Sequence, residues 1–325
     1  MTDPFRRVRG ARKAATVYAA VCLALVFPSV LLRAPGAARA GQGKQGDDPA
    51  PASAPTAPRS SSLPRPPSQP SHAQGAPPRL VVKSRIALVE DANTSQVLLA
   101  KNADRVVPIA SITKLMTAIV ALDAKLPLED KLTISDEDRD LIKGTTSRLR
   151  AGWSLNREDM LHLALMSSEN RAAAALSRYY PGGRPAFIAA MNAKAAELGM
   201  KDSHFVNPNG LTTENVSTAL DLVKLLQAAY QYPLIRKFCT DPDYTVRIGR
   251  HTLRFINTDR LVRSSGWDVE IQKTGFINES GRCLVMRANV DGRDLIMIFL
   301  DAYGKLTRFA DARRVRTQLA LAQRK

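Results

Sequence analysis

The hydrophobic positions between residues 111 and 232 recur with a helical period. In VVPIASITKLMTAIVAL, which begins at Val106, apolar side chains stand three and four positions apart and predict a buried helix. The same spacing predicts helices in ISDEDRDLI, NREDMLHLALMSSENRAAAALSRYY and GRPAFIAAMNAKAAELGM. Ser217 and Thr218 stand before Asp221 and the run ALDLVKLLQAAY, which is the pattern of a capped helix start. The middle of the chain is therefore predicted to be mostly helical.

Short apolar runs flank this helical part on both sides. LVVKSRIALVEDANTSQVLLAKN, from Leu80, contains two runs around the polar residues 91–95 and predicts a β-hairpin. The later runs YTVRI, HTLRFIN, VEIQKTGF, GRCLVMRANV and RDLIMIFL predict strands, with a tight turn at Asp291-Gly292. KLTRFADARRVRTQLALA predicts a closing amphipathic helix. This order predicts an α+β fold, in which both ends of the domain form one antiparallel sheet and a helical lobe is inserted.

The first forty residues have the pattern of an export signal. Five Lys or Arg residues lie within the first 13 positions, and residues 14–32 are uncharged and mostly apolar, followed by the small-x-small sequence ARA. These features predict a signal peptide over residues 1–40, cleaved near Ala40, and therefore a periplasmic protein. The alternative is an uncleaved membrane anchor, because nineteen mostly apolar residues are within spanning range, although Pro28 and the cleavage site favour removal.

Residues 41–79 have a low-complexity composition, with APASAPTAPRSSSLPRPPSQPSHAQGAPPR as their longest part. Almost no aromatic or branched apolar side chains are present, so burial cannot offset the entropy lost on ordering. The segment is predicted to be a disordered Pro/Ala/Ser-rich tether. The folded domain is therefore predicted to span residues 80–325.

The formal net charge of +17 is unevenly distributed. Residues 1–40 contribute +6 and residues 41–79 contribute +2, which leaves +9 for the predicted domain. A basic domain favours a polyanionic neighbour such as an acidic cell-wall polymer. Nucleic acid is not expected as a partner, because the protein is predicted to be exported and has no nucleic-acid-binding motif. A solvated basic surface without a specific partner is the alternative.

The cysteines and histidines point to no metal or other cofactor. Cys239 and Cys283 remain after signal removal, and an oxidising compartment would allow one disulfide between them. The apolar run CLVM around Cys283 equally fits a thiol in the core. The four histidines lack metal-site spacing and there is no Cys-x-x-Cys, so no metal site is predicted.

Ser111 and Lys114 lie one turn apart on the first predicted helix. Burying a lysine is unfavourable unless its charge is paired or lost, and burial lowers its pKa. Such a lysine could take the proton of a serine hydroxyl, which is otherwise a poor nucleophile. The helix start also favours developing negative charge. Alone, the pair is a weak signal, because Ser-x-x-Lys also arises by chance with a surface lysine on a helix edge.

Two further motifs add to this pair. In Ser-Glu-Asn, inside a predicted helix, Ser168 and Asn170 could reach the same cleft, relaying protons and holding an amide. In Lys-Thr-Gly, on a predicted strand, Lys273 could attract a substrate carboxylate, Thr274 could hydrogen-bond it, and Gly275 could leave room for the substrate backbone. The alternatives are a polar turn at a helix end and an edge-strand lysine followed by a glycine bulge.

These three motifs, in this order, resemble those of penicillin-recognising serine enzymes. SITKLMTA, NPNGL, NVSTALDLVKLL, KTGFINESGRCLVM and LDAYGKLTRFADARRVRTQL are similar to the D-alanyl-D-alanine endopeptidase subgroup of low-molecular-mass penicillin-binding proteins, over residues 84–321. The resemblance implies a serine β-lactamase/penicillin-binding-protein-like fold and a hydrolase without a cofactor. The chain stops soon after its last helix, so we expect neither a C-terminal β-domain nor a stable membrane anchor after signal removal.

The resemblance also implies the roles of the site residues. Ser111 would attack the carbonyl of a D-alanyl residue while Lys114 accepts its proton. The backbone N–H groups of Ser111 and Phe276 would hold the oxyanion, and Ser168 with Lys273 would help protonate the leaving amine. Water would then hydrolyse the acyl-enzyme. A β-lactam would acylate Ser111 and persist because deacylation is slow.

Four functions are consistent with these motifs. The favoured one is an endopeptidase that hydrolyses cross-linked muropeptides of peptidoglycan, and the alternative is a D,D-carboxypeptidase that releases terminal D-alanine. A β-lactamase would need a deacylating base such as the glutamate of Glu-x-x-Leu-Asn, and Glu214 does not fit because NVST follows it. A non-catalytic wall-binding module is disfavoured by the three intact motifs.

Overall fold

The computed structural model describes residues 80–323, and the structural statements below refer to this part of the chain. The predicted signal peptide, residues 1–40, and the predicted tether, residues 41–79, lie outside the described residues. Within the described residues, no helix is both long and apolar enough to cross a membrane.

Eleven strands and seven helices make up the described domain. The strands are β1 (Ile86–Asp91), β2 (Val97–Lys101), β3 (Val107–Pro108), β4 (Lys131–Thr133), β5 (Ser154–Asn156), β6 (Val216–Ser217), β7 (Asp243–Ile248), β8 (His251–Ile256), β9 (Asp268–Ile277), β10 (Gly281–Val290) and β11 (Arg293–Ala302). The helices are α1 (Thr113–Asp123), α2 (Arg157–Met166), α3 (Asn170–Arg178), α4 (Gly183–Glu197), α5 (Ala219–Tyr230), α6 (Pro233–Thr240) and α7 (Thr307–Gln323).

The main sheet has five antiparallel strands in the order β2-β1-β11-β10-β9. The hairpin at the start of the domain therefore pairs with its last strand, with Ile86 opposite Leu300. This confirms the prediction of one sheet built from both ends of the domain. Asp291 and Gly292 join β10 to β11 with φ angles of 52° and 84°, as a tight primed turn requires.

Both faces of the main sheet are covered. Along β11, Ile296 and Ile298 belong to the core beneath the helical lobe, whereas Met297 and Phe299 belong to the core that includes α7. Successive residues of a strand point to opposite faces, so a strand buried on both faces has a continuous apolar sequence, as RDLIMIFL does. Helices α1 to α6 lie between β2 and β7 in sequence and form the lobe.

The stretch ISDEDRDLI does not form the predicted helix. Only Asp136–Asp138 makes a short 3-10 turn, and the chain then continues irregularly. The buried Asp138 carboxylate accepts hydrogen bonds from the Ser135 N–H and from Arg178, both at 2.8 Å. The Asp140 carboxylate accepts three of the backbone N–H groups that follow it. Aspartates that bond nearby backbone groups compete with helix formation, and here they stop it.

Both cysteines of the domain are free and buried. Cys239 lies in α6 and Cys283 in β10, each with no exposed surface. Burial raises the pKa of the Cys283 thiol to about 11, so it stays protonated and packs as a small apolar side chain. The sequence allowed either a disulfide between these cysteines or a thiol in the core, and the structure has two separate thiols in the core.

Candidate active site

Ser111 lies in a short 3-10 turn, Ala110–Ile112, that leads directly into the buried helix α1. Its side chain is almost buried, and Lys114, one turn later, has no exposed surface. The Lys114 Nζ atom lies 2.9 Å from the Ser111 Oγ atom, 2.8 Å from Asn170 Oδ1 and 2.7 Å from the Asn209 carbonyl oxygen. The predicted pair is therefore brought together, and the amine has three polar contacts.

These three contacts match the bonding capacity of a neutral amine. Two of them, to Asn170 Oδ1 and the Asn209 carbonyl, are to atoms that can only accept, so the amine donates its two protons there. The remaining contact is to Ser111, whose hydroxyl can itself donate. A charged Lys114 would donate to Ser111 as well, whereas a neutral Lys114 with its two protons on these acceptors would direct its lone pair at the Ser111 hydroxyl. This is the arrangement that a general base for a serine nucleophile requires.

The electrostatic surroundings favour this neutral form. Burial is the main effect that lowers the pKa of Lys114 well below its usual value, and the nearby charge of Lys273 lowers it further. The carboxylates of Glu169 and Asp140 act in the opposite direction. No carboxylate is among the hydrogen-bond partners of Lys114 in the described chain, so its charge is not directly paired.

The Ser-Glu-Asn motif lies between two helices and not inside one. Helix α2 ends at Met166 and α3 begins at Asn170, so the predicted continuous helix is wrong at this point. Ser168 has a φ angle of 61°, which lies in the left-handed region that residues other than glycine rarely adopt. Glu169 caps α3 by accepting a hydrogen bond from the Arg171 N–H at 3.2 Å. Asn170, the first residue of α3, reaches Lys114 from this turn.

Asn170 is held at both ends of its side-chain amide. Its Oδ1 atom accepts from Lys114, and its Nδ2 atom donates to Thr145 Oγ1 at 2.9 Å. Because Oδ1 is bonded to Lys114, the Nδ2 group is the part of the side chain that could exchange its protein acceptor, the Thr145 hydroxyl, for a substrate carbonyl. The role of Asn170 in holding a substrate amide stays a prediction.

The Lys-Thr-Gly motif lies on β9, the edge strand of the main sheet. Lys273 is fully buried, and burial lowers its pKa to about 8 while the charge of Asp259 partly opposes this. Its Nζ atom donates to the Thr274 carbonyl at 3.2 Å. Among the described residues, no hydrogen bond joins Ser168 to Lys273. The relay through these two residues therefore stays a prediction.

Gly275 brings β9 against the turn that carries the nucleophile. A Cβ atom at this position would lie 2.9 Å from the Ile109 carbonyl oxygen and 3.3 Å from Ala110 Cβ. The space on the Cβ side of Gly275 is thus filled by the chain just before Ser111, and the predicted room for a substrate backbone stays a prediction. The close approach is made by the residue before Phe276, against the residues just before Ser111. A shared oxyanion site formed by the two backbone N–H groups requires such proximity.

Two features of the loop before β6 were not predicted as part of the site. The Asn209 carbonyl is a hydrogen-bond acceptor for Lys114. Gly210, with a φ angle of 78°, lies so close to Ala110 that a Cβ atom would come 2.0 Å from its carbonyl oxygen. The sequence signal was only the Asn- and Gly-containing run NPNGL, which marks a turn without assigning it to a site.

Thr258 is a third unpredicted feature, and it connects two of the motifs. The Thr274 hydroxyl donates to the Thr258 hydroxyl at 2.6 Å. The Thr258 N–H donates to the Met166 carbonyl at 3.1 Å, just before the Ser-Glu-Asn turn. The Thr258 hydroxyl makes a longer contact of 3.5 Å to the same carbonyl. Thr258 therefore fixes the Thr274 hydroxyl relative to the turn that carries Ser168.

Comparison with known proteins shows the family of the chain. A family model described as D-alanyl-D-alanine carboxypeptidase matches residues 71–304. The chain belongs to this family of serine peptidases. A D-alanyl-D-alanine endopeptidase of Pseudomonas aeruginosa is 51% identical to it, over 77% of this chain and 81% of the relative. One from Escherichia coli is 50% identical, over 73% of this chain and 77% of the relative.

Solved structures of D-alanyl-D-alanine carboxypeptidase relatives support the fold. The crystal structure of a Streptomyces DD-transpeptidase superposes with a TM-score of 0.68 at 28% identity, over 73% of this chain and 97% of that chain. The predicted penicillin-binding-protein-like α+β fold is confirmed. As a member of the D-alanyl-D-alanine carboxypeptidase family, the protein is a hydrolase, and inhibition by β-lactams is general for this family.

We expect Thr258→Val to slow acylation by benzylpenicillin about fivefold, the factor that corresponds to one hydrogen bond worth about 1 kcal/mol. Valine keeps the shape of the side chain but removes the acceptor of the Thr274 hydroxyl. The second-order acylation rate constant is the measurement. Thr258→Ser retains the hydroxyl and is the matched control, expected to acylate at the wild-type rate. Equal rates in the two variants would contradict this role of Thr258.

Proposed function

We propose that this protein is a serine D,D-endopeptidase that hydrolyses D-alanyl cross-links of peptidoglycan through an acyl-enzyme on Ser111. The observation that carries the proposal is the fully buried Lys114 amine, 2.9 Å from the Ser111 hydroxyl, with neutral acceptors for its two protons. The relatives from Pseudomonas aeruginosa and Escherichia coli, both named D-alanyl-D-alanine endopeptidase, support the choice of reaction.

In the acylation step, the Ser111 Oγ atom forms a bond to the carbonyl carbon of the D-alanyl residue and its proton moves to Lys114 Nζ. The carbonyl oxygen becomes an oxyanion beside the backbone N–H groups of Ser111 and Phe276. Collapse of this intermediate breaks the carbon–nitrogen bond of the cross-link. The proton held by Lys114 returns to the leaving amine, directly or through Ser168.

In the deacylation step, water attacks the ester on Ser111 and Lys114 again takes a proton. The ester bond breaks, the proton returns to Ser111, and the acyl-side stem peptide leaves with a new carboxylate. A β-lactam follows the first step and forms the same ester, but its leaving group stays attached by the opened ring. We propose that this blocks the approach of water, so that the adduct persists.

We further propose that the protein acts in the periplasm after removal of residues 1–40. The basic start, apolar centre and ARA site of the N-terminal sequence support export. The net charge of +9 over residues 80–325 supports residence near an acidic cell wall. Cross-linked muropeptides are the proposed substrates.

Product analysis separates this function from its alternative, a D,D-carboxypeptidase. We expect the purified protein to split a D-alanyl-diaminopimelyl cross-linked dimer into monomers and to release little D-alanine from a monomeric pentapeptide. The two reactions share the acyl-enzyme and differ only in the amine that leaves. Mass spectrometry of both digests is the measurement, with Ser111→Ala as the inactive control. Efficient D-alanine release with an intact dimer would show that the protein is a carboxypeptidase.

A further inference from the structure

A depression of about 470 Å³ lies at the end of β9 and shares one lining residue, Phe276, with the candidate active site. Two aromatic rings, three cations and one carboxylate are among its lining groups: Phe276, Tyr303, Arg85, Arg282, Lys305 and Asp301. Neither the proposed acylation nor the proposed deacylation uses any of these side chains. We refer to this depression as the β9-end pocket.

Phe276 joins the β9-end pocket to the reacting centre. Its backbone N–H is the expected oxyanion donor, while its side chain is 47% exposed and forms a wall of the pocket. Phe276 stands opposite Arg282 in the ladder between β9 and β10. The Arg282 guanidinium carbon lies 4.2 Å from the centroid of the Phe276 ring, which holds the cation beside the active site.

The direction of β9 indicates which part of a substrate would reach the pocket. Thr274 is expected to bind the carboxylate of the leaving residue, and the Phe276 N–H is expected to bind the scissile carbonyl. A strand advances about 3.3 Å per residue. A substrate that lies along this edge would therefore place its leaving residue near Thr274 and its scissile carbonyl near Phe276. Its acyl side then continues towards Asn278 and the β9-end pocket.

The charges of the pocket favour an anionic ligand. Arg85 is paired with Asp301 at 3.3 Å, so one cation is neutralised by the single carboxylate. Arg282 and Lys305 form no ion pair within the described chain, which leaves an excess of two positive charges. A guanidinium offers paired donors that match the two oxygens of a carboxylate. Tyr303, 89% exposed, adds an aromatic surface at the rim.

We propose that the β9-end pocket is the subsite for the stem peptide on the acyl side of the scissile bond, where Arg282 and Lys305 bind its free carboxylates. The proposal rests on the proposed function in that the ligand is a peptidoglycan stem. It does not depend on whether an amine of a second stem or free D-alanine leaves, because the acyl side is common to both reactions.

The test uses a stem tetrapeptide as a competitor of benzylpenicillin acylation. One form of the tetrapeptide has free glutamyl and diaminopimelyl carboxylates, and the other has both amidated, with the terminal D-alanine unchanged. The inhibition constant of each form is measured with wild type, Arg282→Gln and Lys305→Gln. For each variant, the acylation rates with tetrapeptide are divided by the rate of the same variant without tetrapeptide, and the inhibition constant is calculated from these ratios. Cross-link cleavage is not needed for the measurement, so its failure would not be confused with failure of the subsite.

For wild type, we expect the free-acid form to bind more tightly than the amidated form. In Arg282→Gln the inhibition constant of the free-acid form should rise about fivefold, the factor of a partly exposed ion pair, with no rise for the amidated form. Lys305→Gln should give a smaller rise, and added salt should reduce the difference between the two forms. Lys201→Gln removes an exposed cation from the helical lobe and should leave both constants at their wild-type values.

Three outcomes would overturn the proposal. The first is a free-acid tetrapeptide that does not compete with wild-type acylation at all. The second is an equal rise for the free and the amidated forms in Arg282→Gln, which would place the effect on the reacting centre through Phe276. The third is an equal effect of Lys201→Gln, which would assign the result to the net charge of the domain and not to the pocket.

Discussion

Replacing Ser111 by alanine is expected to abolish covalent labelling by benzylpenicillin. Ser111 is the hydroxyl in contact with the Lys114 amine, and the acyl bond forms on its Oγ atom. Without that atom no ester can form, whatever the state of the rest of the cleft. Intact-protein mass spectrometry after incubation with the antibiotic measures the adduct directly, and no mass increase is expected for the variant.

The fold should tolerate this change. Ser111→Ala removes one oxygen atom, and Lys114 keeps its contacts to Asn170 and the Asn209 carbonyl. A change in unfolding free energy of no more than about 1 kcal/mol is expected, as for one hydrogen bond. Ser265→Ala, at an exposed serine outside the cleft, is the control and should label like wild type. An adduct on a folded Ser111→Ala protein would show that another residue is the nucleophile.

The strands of the main sheet were predicted from the sequence more successfully than the helical lobe. The last two strands were recognised because GRCLVMRANV and RDLIMIFL are continuous apolar runs around an Asp-Gly turn, and these signals are local. The false helix at ISDEDRDLI also has a helical spacing of apolar residues. Its failure depends on Asp138 being buried against Arg178, 40 positions away, which a local pattern does not contain.

The candidate site shows the same division. Side chains with characteristic chemistry, such as Lys114 and Lys273, were predicted and are fully buried in the structure. The Asn209 contribution is a backbone carbonyl, which every residue possesses, so no residue type marks it. Thr258 acts on Thr274 from 16 positions earlier, through a contact created by the fold. The break at Ser168 was missed because helix-forming residues stand on both sides of it.

The second large effect is expected at the base. Lys114→Arg and Lys114→Ala should both acylate about 10²–10⁴-fold more slowly than wild type, the range for loss of a general base. Arginine keeps the positive charge but cannot give up its proton in a protein, so it offers no lone pair to the Ser111 hydroxyl. The acylation rate constant with benzylpenicillin is the measurement, and melting temperatures check that both variants are folded. An arginine variant close to wild type would mean that Lys114 acts only through its charge.

The pH dependence of acylation tests the same base without altering it. Lys114 must be neutral to act, so the rate should rise with pH as Lys114 loses its proton, and its lowered pKa puts this rise below the range of an ordinary lysine. Lys273 must be charged to attract a carboxylate, so the rate should fall again as pH passes its pKa of about 8. Because the charges of the two lysines repel each other, the protonation of one changes the pKa of the other. The apparent pKa values of the acid and alkaline limbs therefore belong to the pair and not to either lysine alone.

The variant Lys273→Arg tests which lysine produces the acid limb and which produces the alkaline limb of this pH profile. Arginine at 273 keeps its charge at every accessible pH, so the fall on the alkaline side should disappear while the rise on the acid side remains. A permanent charge beside Lys114 also keeps the pKa of Lys114 lowered at high pH, where Lys273 itself would have become neutral. The acid limb should therefore not move to higher pH in this variant. If Lys273→Arg instead removed the acid limb and kept the alkaline one, Lys273 would be the group that takes the proton of Ser111, and Lys114 would not be the base.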